Sequence, residues 1–277
     1  MFSEPQYPKR SLLTLGFLLC AVLMLIPMGR IVFGLSVFVR IGIGLGATLG
    51  FGLMWCLESP ERKRSYIALA VPLAILAIAP ISTNLDILKM LVLSLFLASV
   101  IVIPPLILRR NDIITFKLWP DKLDWIDIFY TFLSIPLGWG GFWLYFKLFS
   151  PEVPFNWLQP DQPNTTELFK LFIGINAVGI WDELFFINIC FAVIRSLFPF
   201  KIANSAQAVI YTSVLYDMAF TGWGPVFVGI LALTQGAMFE RSKALIWVLI
   251  VHLIVDYFLF QAIIEKYYPN FSVWWHF

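Results

Sequence analysis

The sequence predicts an all-α, polytopic membrane helix bundle with about eight or nine transmembrane helices. Three observations carry that prediction. Of 277 residues, 60% are hydrophobic and only 13% charged, and the mean hydropathy is +0.85, whereas soluble globular domains carry about 25% charged residues. The apolar residues fall in runs of about 20, the length that crosses a hydrocarbon core roughly 30 Å thick. The basic residues fall in short clusters between those runs, as topology signals do.

Taken in order, the candidate spans run over 11–28, 32–57, 66–82, 87–108, 126–149, 168–197, 203–222, 225–240 and 244–264. The first follows Lys9 and Arg10 and is not succeeded by a small-residue cleavage site, so it is expected to remain as a span rather than be removed as a leader. Arg40 interrupts the second, which is either one helix or an interfacial piece followed by a shorter span from Ile41. The sixth, at about 30 residues or roughly 45 Å, is too long for a straight perpendicular helix and must tilt, bend or extend beyond the bilayer. Between the fourth and fifth, "RRNDIITFKLWPDKLDW" reads as a cytoplasmic loop resting at the headgroups. With no fixed-period repeat, low-complexity tract or long linker, residues 1–277 form a single membrane domain. Residues 1–124 supply N-terminal spans, and 125–277 hold nearly all the unusual polar residues.

Placing the connections on alternate sides gathers Lys9, Arg10, Arg62, Lys63, Arg64, Arg109, Arg110, Lys117, Lys122, Lys201, Arg241 and Lys243 on one side. The other side receives Arg30, Asp86, Lys89 and the Pro-rich segment 150–167. The asymmetry predicts a multi-pass protein with a cytoplasmic N-terminus. A net charge of +2 gives no reason to expect nucleic acid. Cys20, Cys56 and Cys190 lie in apolar runs without metal or disulfide spacing and read as buried, inert thiols. Glycines at 42, 44, 46, 50 and 52, and those of "LGWGGFW" at 137–143, read as close helix packing. The N-x-S/T triplets at Asn164 and Asn270 fall on the outer side, and the terminal "SVWWHF" reads as an interfacial aromatic anchor.

Within the last four spans, the ionisable residues away from helix ends are Asp182, Glu183, Asp217, His252 and Asp256. His252 and Asp256 are four apart and share a helix face. Counted from the cytoplasmic ends, all five lie roughly 12 to 23 Å deep, so three helices offer polar groups at compatible depth. A charge there costs on the order of 2.5 to 3.5 kcal/mol, and such residues face a cavity or one another. Four acids without an intramembrane Lys or Arg must hold protons or share a cation. Either state is chemically useful, as a general base or acid or as an oxygen-rich site for a divalent metal on Asp182, Glu183, Asp217, His252 and Asp256.

The order of these motifs resembles the CPBP family, the CAAX-processing and bacteriocin-immunity intramembrane proteases, over about 100 residues from Asn176 to Asp256. Family members carry a paired acid in EExxxR, then FxxxH, then HxxxN or HxxxD. Here "DELFFI" places Asp182 and Glu183 at the paired acid, and "HLIVD" places His252 and Asp256 at the last motif. The stretch "GILALTQGAMFERSKALIWVLIVH" is similar to the family's glycine-spaced helix and basic turn. The family arginine falls on Ile187, with Asn188 beside it, and the middle histidine on Phe220, with Tyr216 replacing the family Phe. The resemblance implies that Asp182 or Glu183 activates water and that His252 with Asp256 holds the oxyanion. Asp217, Asn188 and Tyr216 are the supporting or substitute groups. It implies an endopeptidase that cleaves a membrane-associated peptide or protein entering from membrane lipid. Two alternatives stand beside it: a catalytically inactive relative that binds a partner protein or a lipid-like cofactor, and a metal- or proton-coupled activity built on the surplus acids.

Overall fold

The computed structural model describes residues 7–26, 35–80, 86–109, 113–149, 165–216, 224–268 and 271. Among these the regular structure is all helical: α1 (Lys9–Leu25), α2 (Val37–Cys56), α3 (Pro60–Ile78), α4 (Ile87–Leu108), α5 (Trp125–Phe149), α6 (Thr165–Asp182), a π-helical segment (Glu183–Phe191), α7 (Ala192–Leu197), α8 (Phe200–Leu215), α9 (Gly224–Ser242) and α10 (Leu245–Tyr267). α6, the π segment and α7 form one continuous 33-residue helix, Thr165–Leu197. Each apolar run of the sequence is thus one rod among the described residues. Asp217 and Phe220, Asn164 and Asn270, and the terminal Trp274, Trp275 and His276 lie outside the described residues.

The boundaries shift for local reasons. α3 begins at Pro60 rather than 66, because proline is tolerated at the first helical position and Glu61 in the first turn complements the helix dipole. α2 begins at Val37, capped by the Ser36 hydroxyl, which accepts from the Val39 amide. Arg40 therefore lies in its first turn and does not break the span. The Asp86 carboxylate caps α4 by accepting from the Lys89 amide at 3.1 Å. Segment 113–124 is non-helical, and it does more than rest at a surface. The carbonyls of Lys117 and Leu118 accept from the Leu245 and Ile246 amides at 2.9 and 3.0 Å, satisfying donors that the first turn of α10 would otherwise leave open.

Among the described residues, four helices are long and apolar enough to cross a membrane: α2, α4, Thr165–Leu197 and Leu245–Lys266 of α10. Their surroundings differ. Only 17% of the apolar stretch of α2 and of α4 is buried, against 72% for the 33-residue helix, which is the central rod. Phe38 is 88% exposed and Leu53 72%, with Ile78, Leu95 and Phe132 also on the outside. Apolar surface on that scale is foreign to soluble monomers, and the chain is a membrane protein. Cys56 is exposed on α2 and Cys20 half-buried, so only Cys190 is the buried thiol expected of all three.

In lipid the helices gain little from leaving an equally apolar solvent, so close packing and interhelical hydrogen bonds hold the bundle. The rods pair as α1 with α2, α3 with α4 and α8 with α9, while α10 packs on α5 and α6 and the π segment packs on α8. Phe185, Phe186, Ile189, Cys190 and Phe191 of the π segment are buried at the centre. Trp181 donates its indole N–H to the Leu97 carbonyl at 2.9 Å, tying α6 to α4. At the far end of α1, Glu58 accepts from the hydroxyls of Ser11 and Thr14, each at 2.8 Å, and Tyr66 donates to the Ser11 carbonyl at 2.7 Å. Of the packing glycines, Gly44 lies against Leu25, Gly50 against Phe17 and Gly138 against Phe258, whereas Gly42, Gly46, Gly52, Gly140 and Gly141 face open space.

Candidate functional site

The central rod and α10 bring four of the five expected groups together. Asp182 closes α6, Glu183 opens the π segment, and His252 and Asp256 sit one turn apart on α10. Their residue exposures are 2, 0, 5 and 5% respectively. The imidazole is the hub. Its Nδ1 lies 2.7 Å from Glu183 Oε1, and its Nε2 lies 3.6 Å from both Asp182 Oδ2 and Asp256 Oδ1. Adjacent acids thus reach opposite edges of one ring.

Neighbouring helices fix that ring. The Gln235 amide on α9 donates to Glu183 Oε1 at 3.2 Å and to the Val248 carbonyl at 2.8 Å. The Tyr211 hydroxyl on α8 lies 3.1 Å from His252 Nδ1. The Tyr211 ring stacks on Phe186 at 4.2 Å and lies nearly parallel to the imidazole, at 13°. An ionised Glu183 can only accept, so the 2.7 Å contact places a proton on Nδ1, and in the neutral imidazole Nε2 then carries the lone pair.

The Nε2 edge faces a cavity of about 90 Å³, whose polar walls are Asp182, His252, Asp256 and Tyr211 and whose apolar walls include Phe142, Val228 and Leu259. That is room for a few water molecules. Glu183 is behind the imidazole and is not a wall of it. The approach of α10 to α6 depends on Gly179, which lies three residues before Asp182 on the same face. A Cβ there would run into Asp256 Oδ2 and come to 2.8 Å from His252 Cδ2. The π segment begins immediately after Asp182. Its i→i+5 bonding widens the helix at the step between the two acids, and single π turns in α-helices are frequent at functional sites.

Two supporting groups expected from the sequence lie elsewhere. Asn188 is fully buried, yet neither of its amide atoms has a hydrogen-bond partner among the described residues. Tyr216 follows Leu215 at the end of α8 and is not a wall of the cavity. Tyr211 takes the place on α8 that the motif reading looked for at 216–220. The signal was present as a polar face of Asn204, Gln207 and Tyr211 at helical spacing. Gln235 and Gln207 tie helices as their types suggest, but Asn176 only donates to its own helix, at the Phe172 carbonyl. Among the described residues no three His, Cys, Asp or Glu side chains are arranged to hold a metal ion.

Neither a family model nor a curated protein matches the sequence, and no solved structure matches the fold.

Proposed function

We propose that the chain is a divergent intramembrane hydrolase, an endopeptidase of the kind its motif order resembles, acting on a membrane-bound peptide. The observation supporting this is the Glu183–His252 contact at 2.7 Å, with the opposite edge of the ring turned to a small cavity between two aspartates. A carboxylate that holds Nδ1–H leaves Nε2 free to take a proton from water. Water in the cavity attacks the peptide carbonyl carbon while its proton passes to His252 Nε2. Glu183 stabilises the imidazolium, which returns the proton to the leaving amine. Of Asp182 and Asp256, the one holding a proton donates to the developing oxyanion. In this assignment Glu183 is the orienting group and His252 the base, the reverse of the roles the resemblance implies.

A second, apolar cavity of about 230 Å³ between α5, α9 and α10 shares Phe142, Val228, Leu231 and Val255 with the first. It offers an apolar segment a route from the bilayer. The nine rods then cross the membrane as alternate passes, with the base-rich ends and the N-terminus cytoplasmic. One observation favours a second reading, a binding protein without turnover: the space beside Nε2 holds water but not a peptide unless helices part.

Comparing new peptide termini in membranes carrying the wild type, Glu183→Gln or His252→Gln at equal abundance separates the two. A hydrolase gives termini that vanish in both variants. Identical termini in all three would leave only the binding reading.

A further inference from the structure

A second polar cavity lies at the C-terminal end of the central rod. It measures about 810 Å³ and is walled by the start of α3, the end of α4, segment 113–117, the end of α7 and the end of α9. Five cationic side chains line it: Arg62, Arg64, Lys117, Arg195 and Lys243. Glu61 and Glu240 are its only carboxylates among the described residues, so the lining carries an excess of three positive charges. Glu240 is already committed, bridging Arg195 at 3.1 Å and Lys243 at 2.7 Å, and Lys117 pairs with the exposed Asp121 outside the lining. These basic residues come from four segments far apart in sequence, yet they converge on one concave space instead of spreading over the loops.

The floor of the same cavity is apolar, formed by Leu108, Ile113, Phe191 and Phe239. Every wall is a helix end or a connection, which in a membrane bundle is the level of the headgroups. Positive charge at the rim over an apolar floor matches a molecule with an anionic head and a hydrocarbon tail. We propose that this cavity binds the phosphate-bearing headgroup of an anionic membrane lipid, with Arg64 and Lys117 at its rim and the tail running out along the apolar face of α4. Basic pockets between membrane helices recognise headgroups in this way. A soluble phosphate would meet the same cations but has no use for the floor. The inference rests on the membrane placement of the bundle and is independent of hydrolysis at His252.

The test is native mass spectrometry of the full chain in detergent, titrated with phosphatidylglycerol or phosphatidylcholine and repeated with inorganic phosphate. The expected result is one phosphatidylglycerol retained in preference to phosphatidylcholine and not displaced by millimolar phosphate. Each cation near an anionic headgroup contributes roughly five-fold, so Arg64→Gln with Lys117→Gln weakens retention about 25-fold. Glu61→Gln, which removes an anion from the rim, strengthens it. Equal retention of the two lipids, or an unchanged double variant, overturns the proposal. Displacement by inorganic phosphate at millimolar concentration overturns the lipid assignment in favour of a soluble-anion site.

Discussion

Replacing Gly179 by alanine tests the approach of α10 to α6 directly, and Gly174 on the same helix supplies the control. Nothing lies within 4 Å of a Cβ built at Gly174, whereas one at Gly179 meets Asp256 Oδ2 and the His252 ring. Both exchanges remove a helix-interior glycine, worth about 0.5–1 kcal/mol of stability, and both narrow the unfolded chain equally. Those terms cancel in the comparison. What remains is overpacking at Gly179, typically about 1–3 kcal/mol, with the upper end expected because two polar side chains must move together. At about 2–4 °C per kcal/mol for chains of 150–250 residues, Gly179→Ala should melt several degrees below Gly174→Ala in the same detergent. Asp256→Ala removes the atom in the way, so the double variant Gly179→Ala/Asp256→Ala should recover part of the loss, a coupling that a double-mutant cycle reads out. A Gly179→Ala protein as stable as Gly174→Ala would refute the geometry of the site, since the two helices could not then be in contact where His252 meets Asp182.

Two further outcomes follow from contacts outside the site. Glu58→Ala strands the hydroxyls of Ser11 and Thr14 in a buried position and should cost about 2–4 kcal/mol in denaturant or thermal unfolding, since hydrogen bonds to charged groups contribute about 1.5–3 kcal/mol. Asp124 is hydrogen-bonded by Arg241 and by the Ile126 amide, which hold its carboxyl below the usual range. A depressed folded value adds stability that is present above the unfolded value near 3.9 and is lost as pH falls through the folded one. The difference in melting temperature between wild type and Asp124→Asn should therefore be constant near neutral pH and shrink only below about pH 4. An undiminished difference at pH 3 would show that the contact acts by packing rather than by charge.

The rods were legible because their signal is bulk composition: a run of about 20 apolar residues has few alternatives to a helix in lipid. That Asp182 and Glu183 could stand level with His252 and Asp256 was legible for a related reason, since counting from helix ends at about 1.5 Å per residue places groups along an axis. Azimuth was not. The motif spacing at 216–220 points to Tyr216, but the face of α8 turned to His252 carries Tyr211, and only the packing of α8 on the π segment decides between them. The π segment itself carries no sequence signal in "ELFFINICF", an apolar run that reads like any buried helix. The cap that segment 113–124 places on α10 was hidden too, being made by backbone carbonyls that any residue supplies.

The buried acids of this chain fall into two kinds, and the difference bears on what the site is for. Glu58 has each carboxylate oxygen matched by a hydroxyl donor, Thr14 on Oε1 and Ser11 on Oε2, the closed pattern expected of a group whose task is to join helices. Asp182 Oδ1, Glu183 Oε2 and Asp256 Oδ2 have no hydrogen-bond partner among the described residues, although all three residues are as buried as Glu58 to within 1% of exposure or more so. A cluster serving only to tie α6 to α10 gains nothing from open oxygens, and an apolar replacement of similar volume is often neutral or stabilising. Other ties between helices are made by neutral amides, as by Asn204 and Gln207 on the carbonyls of Leu233 and Ala232. Acids left open around a histidine, beside a cavity sized for water, are the arrangement in which proton transfer has somewhere to go.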